Sequence, residues 1–144
     1  MVYQREAHVS QSPENLLLAW YGDDFTGAAA VMEVLAFAGL PTMLFLDVPT
    51  PDHLTRYPDL KAIGVASTAR AQSPEWMDTQ LTAAFKALHK LSPQLCHYKV
   101  CSTLDSSPTS GSIGRAIEIA ADVMTPAAVP ILVAAPQMRR YQMF

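Results

Sequence analysis

Charge is scarce in this sequence: Asp, Glu, Lys and Arg make up 16% of its 144 residues, against about 25% in an ordinary soluble domain. The ten basic residues are scattered and the formal net charge is -3, so there is no stripe able to neutralise a phosphate backbone, and nucleic acid is excluded as a main partner. Long apolar runs are missing as well. No segment approaches the roughly 18 residues a membrane span needs, and the opening MVYQREAHVSQSPEN is polar, without the apolar centre of a secretory signal. A soluble, cytoplasmic protein is expected. There are only two cysteines, Cys96 and Cys101, five residues apart on a strand-like stretch. They point to opposite faces and do not pair, which predicts buried, reduced thiols. His97 lacks two further ligands at zinc spacing, so no metal site is read from these residues. Neither GxGxxG nor GxxxxGK[ST] occurs, which counts against a dinucleotide-dependent oxidoreductase.

Half of the residues are hydrophobic, enough for one sizeable core, and they are grouped informatively. LLLAWY (16–21), TMLFLDV (42–48), AIGVAS (62–67), LCHYKV (95–100) and VPILVAA (129–135) read as strands, several of them buried on both faces. Between them lie helical patterns. One runs from about Gly27 to Phe37, with Thr26 as its N-cap and Gly39 and Pro41 as its stop. A second starts at Ser73-Pro74 and carries Met77, Leu81, Phe85 and Leu88 at helical spacing; a third starts at Ser112. The Pro-rich stretch after residue 48 reads as a connection with one helical turn. Strand and helix alternation predicts an α/β domain: a doubly wound, mainly parallel sheet of about five strands with helices on both faces, a Rossmann-like three-layer arrangement. Residues 1–14 read as a polar extension and 15–144 as the domain, whose last residues, Tyr141, Met143 and Phe144, are expected to pack on chain beyond them.

In such a sheet ligands bind outside the carboxyl ends of the strands. The loops leaving those ends hold GDDFT (22–26), TARAQS (68–73), CSTLDSSPTSG (101–111) and APQMRR (135–140), while the loops entering the strands carry little that is reactive. Asp23 and Asp24 have two readings, a general base with a hydroxyl acceptor, or a helix N-terminus that favours negative charge. Ser102, Thr103, Asp105, Ser106, Gly111 and Gly114 supply hydroxyls, a carboxylate and accessible backbone N–H groups; a structural Ser/Thr turn is the plain alternative. Arg70 and Arg140 could each grip a carboxylate in two-pronged fashion. Lys99, near a buried strand end, is expected to pair with Asp24 or Asp105.

The motifs GDDFTGA (22–28) and HYKVCSTLDSSPTSGSIGRAIE (97–118) together resemble the N-terminal domain of four-carbon acid sugar kinases, from about Leu16 to the end. That resemblance implies a kinase in which this half holds a threonate-, erythronate- or oxo-tetronate-type acid and a C-terminal half, absent here, binds ATP with Mg2+. Carried over by motif, Asp23, Asp24, Arg70, Ser102, Thr103, Asp105 and Ser106 form the substrate pocket. To these the reading adds Gly111 and Arg140 as further contacts, the ligand carboxylate near Arg70 and the N–H groups of 111–114, and Asp24 as the residue at the reacting hydroxyl. The alternatives are a non-catalytic small-acid binding or interaction domain, or an inactive remnant of such a kinase. A homodimer is left open.

Overall fold

The computed structural model describes residues 13, 15–136 and 139–141. The polar extension 1–14, Pro13 apart, and the terminal Met143 and Phe144 lie outside them. Four strands, β1 (Leu18–Gly22), β2 (Thr42–Phe45), β3 (Ala62–Ala66) and β4 (Leu95–Lys99), form one sheet in the order β2-β3-β1-β4, every neighbouring pair parallel. Helix α1 (Phe25–Phe37) follows β1 and α2 (Pro51–Arg56) follows β2. After β3 come a 3-10 turn, Ala69–Ala71, and then α3 (Pro74–Trp76), which runs through a π-helical turn, Met77–Leu81, into α4 (Thr82–Lys90). Helix α5 (Ile113–Met124) follows β4.

The alternation of side chains along each strand sorts the sheet into two faces. Ala19, Tyr21, Ile63 and Val65 point to one, where they pack with Leu54, Met77, Leu81, Phe85, Leu88, Ala116 and Ile119 in the main core. Burying one such Leu or Phe contributes about 1.5–3 kcal/mol. Trp20 and the small residues Ala62, Gly64 and Ala66 point to the other face, under α1. The indole of Trp20 lies flat over Gly64, where an added Cβ would stand 2.0 Å from Trp20 Cε2, and its Nε1–H donates to the Ala28 carbonyl at 3.2 Å. Trp20 is thus a packing residue, as are Tyr98, stacked on Tyr21 at 6.2 Å, and Trp76, half-buried against the core.

Two expectations need correction. The run 129–135 forms no strand; Val129, Ile131 and Leu132 are exposed, and the sheet has four strands rather than five. Hydrophobicity marked a segment that wants burial, but a strand also needs a partner edge, and among the described residues Ala135 bridges only to Arg140, across a local turn. The second concerns the thiols, which are unpaired as expected but not buried: Cys96 is exposed and Cys101 half-buried. Cys96 lies on β4, which pairs only with β1 and forms one edge of the sheet.

The topology fixes where a site can form. From β1 the chain moves to the β2–β3 side, and it returns past β1 to lay down β4 on the other flank, so the direction of winding reverses at β1. The register aligns Gly22 with Ala66 and with Lys99, so β1, β3 and β4 end level and their exit loops start side by side.

Candidate functional site

At the end of β1 the backbone stays extended for Asp24 (φ -141°, ψ 164°), and α1 begins at Phe25. Asp24, not Thr26, is the N-cap: its Oδ1 accepts from the Gly27 N–H. Thr26 already lies inside the first helical turn, and a carboxylate suits the positive end of a helix better than a hydroxyl. Asp23 is fastened to both flanking loops. Its N–H donates to the Lys99 carbonyl and its carbonyl accepts from the Arg70 N–H, each at 3.0 Å. Its side chain is only 4% exposed.

Arg70, on the 3-10 turn after β3, reaches back to this pair. Its Nε–H donates to Asp23 Oδ2 at 3.1 Å, one Nη to Asp23 Oδ1 at 2.8 Å, and the other Nη stands 2.7 Å from Asp24 Oδ2. The Asp23 hydrogen bonds, then the Asp23 and Asp24 charges, push the guanidinium above its ordinary pKa. Both oxygens of Asp23 and both of Asp24 are therefore engaged by protein donors, and Asp24, with its side chain 31% exposed, presents its remaining lone pairs in a fixed direction. The two readings of the Asp pair are compatible. One carboxylate is an internal anchor, and the other is at once a helix cap and an accessible acceptor. Ser67, which sequence reasoning passed over, ties the loops further: its hydroxyl donates to the Gly22 carbonyl at 2.8 Å and accepts from the Ala69 N–H. A lone hydroxyl directly after a buried apolar run was the available signal.

The third loop is locked onto the second through Gly111, which is buried at φ +57° and donates its N–H to the Gln72 carbonyl at 2.9 Å. A Cβ there would fall 2.2 Å from the Arg70 carbonyl oxygen, so only glycine allows this approach. Earlier in the loop, Ser102 is half-buried, and Thr103 donates to Asp105 Oδ2 at 2.7 Å. Ser106 accepts from the Ile113 N–H at 2.9 Å, ahead of Ser112, which caps α5. Asp105 and Ser106 are exposed, and no ion pair joins Asp105 to the Asp23–Arg70–Asp24 group. Cys101, which opens this loop, has its thiol lowered by hydrogen bonds with Thr103 and then by the charges of Arg70 and Lys99. Arg140 is exposed, bonded by its backbone to Ala135, and makes no ion pair with these aspartates among the described residues. Lys99 pairs with neither Asp24 nor Asp105; its ammonium donates to the adjacent Val100 carbonyl. Its strand leads it along the sheet face under α1, not toward the outer loop.

Beside this rim a cavity of about 260 Å³ opens between the ends of β1, β2 and β3, with Asp47, Ser67, Thr68 and Gln80 as its polar lining. It shares the Ser67–Thr68 exit with the rim, but Asp23, Asp24 and Arg70 do not line it. Among the described residues no three His, Cys, Asp or Glu side chains are grouped to hold a metal ion, and no helix is long and apolar enough to cross a membrane.

Fold and rim together define a Rossmann-like α/β domain in which Asp23, Asp24 and Arg70 meet at the switch point of the sheet. The chain belongs to the family of sugar-binding N-terminal domains, whose sequence profile matches residues 18–144. It is 48% identical over 132 residues to a 3-oxo-isoapionate kinase of Paraburkholderia graminis, covering 92% of this chain and 28% of that protein. It is 35% identical over 92 residues to a 3-oxo-tetronate kinase of Salmonella typhimurium (64% of this chain, 21% of the relative) and 32% identical over 113 residues to a D-erythronate kinase of Heliobacterium modesticaldum (78% and 24%). A crystal structure from Salmonella typhimurium LT2, provisionally described as that of a tRNA synthase, superposes with a TM-score of 0.66 at 29% identity, covering 78% of this chain and 26% of that one. The chain thus spans about a quarter of the length of the curated relatives it matches.

Proposed function

We propose that this chain is the acceptor-binding part of an ATP-dependent kinase that phosphorylates the terminal hydroxyl of a four-carbon sugar acid of the threonate, erythronate or oxo-tetronate type. The observation that carries the reading is Asp24, a partly exposed carboxylate held by the Gly27 N–H on one oxygen and by Arg70 on the other. Such a group accepts a hydrogen bond from a substrate hydroxyl and fixes the direction of its attacking lone pair, with removal of the proton as the reaction proceeds. Phosphoryl transfer is governed mainly by positioning and charge neutralisation, so an acceptor fixed in this way is the contribution this chain makes. Asp23 and Arg70 hold Asp24 in place; Ser102 and Thr103 lie on the adjoining loop, where they can meet further sugar hydroxyls.

The described residues supply neither a phosphate-binding loop nor a metal-ligand group, so nucleotide and Mg2+ are assigned to the remainder of the longer relatives. The kinase names of the relatives support this division, as does the quarter of their length that the chain covers. Calorimetry with threonate, erythronate and 3-oxo-tetronate tests the reading on wild type and Asp24→Ala. Binding of one acid that Asp24→Ala loses supports it; equal heats in both proteins reject the pocket.

A further inference from the structure

The charge count at the rim leaves one problem unsolved. Asp23 and Asp24 carry two negative charges and Arg70 one positive, and three of the five N–H donors of Arg70, one from each of its nitrogens, are turned inward onto those two carboxylates. An organic acid approaching Asp24 would meet net negative charge, and like charges at contact distance repel. A further cation is required, and one is present. Lys99 ends β4 opposite Gly22, and its carbonyl accepts from the Asp23 N–H. The place where a Gly27 Cβ would stand lies 2.6 Å from Asp24 Oδ1 and 3.6 Å from Lys99 Cγ, so the lysine stem and the Asp24 carboxylate flank the same point. The lysine is half-buried, yet no carboxylate stands within ion-pair distance of it among the described residues, and its ammonium donates only to the neighbouring Val100 carbonyl. By contrast Arg115 is taken up by Asp78 of the π-helical turn and by Glu118 of its own helix, α5.

Resting on the reading of this rim as a sugar-acid site, we propose that Lys99 is the residue that holds the substrate carboxylate, with Arg70 serving to position Asp24 rather than to bind the ligand. An ammonium with two donors to spare suits a carboxylate as a point charge, and the flexible stem lets it swing from Val100 to the ligand. It brings the four-charge group Asp23, Asp24, Arg70 and Lys99 to neutrality, so one added carboxylate is tolerated. Lys99 thereby becomes the residue that selects acids over neutral polyols of the same length.

The experiment is calorimetry on the 144-residue chain with threonate, erythronate and 3-oxo-tetronate, and with the neutral tetritols threitol and erythritol, for wild type, Lys99→Met and Lys99→Arg; circular dichroism checks that each variant is folded. Lys99→Met is expected to weaken binding of the acid roughly ten- to hundredfold, the worth of a hydrogen bond to a charged group, and to leave the tetritols unchanged, while Lys99→Arg retains most of the affinity. Acid binding by wild type that Lys99→Met leaves intact overturns the role of Lys99 and spares the sugar-acid reading. No binding of any acid by wild type overturns both.

Discussion

Replacing Arg70 by methionine keeps much of the aliphatic bulk and removes the charge, and the consequence can be worked from the geometry. Asp23, 3% exposed in the native fold, would lose both of its side-chain donors, leaving a largely buried anion with no compensating cation. Removing one partner of a buried ion pair costs about 3–5 kcal/mol. Because the Arg70 side chain is itself 26% exposed, water can reach part of the wound, so the lower end, about 3 kcal/mol, is expected. Asp23→Asn should cost less, since the arginine keeps Asp24 and reaches solvent. The double variant should be less destabilised than the two single losses added together, with a coupling energy of about 1–3 kcal/mol. Urea unfolding followed by circular dichroism measures all four proteins. A loss below about 1 kcal/mol for Arg70→Met, or additive single effects, would show that Asp23 is not a buried anion held by Arg70, and the account of a fixed Asp24 would go with it.

Gly111→Ala places a methyl group against the Arg70 carbonyl oxygen in a left-handed backbone, and should cost roughly 2–4 kcal/mol in urea unfolding while weakening acid binding, because the loop that carries Arg70 must shift. Cys101 should alkylate faster than Cys96 near neutral pH, since hydrogen bonds with Thr103 and then the nearby cations favour its thiolate. Peptide mapping after brief iodoacetamide treatment reads this, and a bound acid should protect Cys101 selectively; equal labelling of the two thiols would contradict the electrostatics. Burial raises Tyr98 above its ordinary value of 10.0, with the charge of Asp23 adding to the effect. The unfolded chain therefore loses this proton at a lower pH than the folded one, so the contribution is complete below pH ~10 and is lost as pH rises beyond it. Tyr98→Phe should flatten the fall in stability above pH ~10, as followed by alkaline denaturation.

The parallel sheet was legible because LLLAWY and AIGVAS are continuous apolar runs, and a run buried on both faces is what a central parallel strand requires. The stop of α1 was equally legible: Gly39 adopts φ +81°, the conformation a helix end favours. The fifth strand was misread because 129–135 has the composition of a strand, while pairing is decided by an edge that composition does not record. Within the site, the loops that would converge followed from topology, since Asp23, Asp24, Arg70 and Gly111 all sit at strand exits. Their pairings did not. Nothing local distinguishes an arginine that faces a ligand from one that folds back on an aspartate 47 residues earlier, and the inward fork of Arg70 was invisible for that reason. The same limit hid the cap: Asp24 and Thr26 are both competent, and only the point at which the backbone turns helical chooses between them.

The clasp between Arg70 and the two aspartates is complete in the free chain. Any hydroxyl that arrives at Asp24 meets an acceptor whose freedom was given up during folding, so association needs little further ordering of that side chain. Crystals grown with and without a bound acid should therefore overlay closely at Asp23, Asp24 and Arg70, with the visible adjustment confined to longer, looser side chains around them.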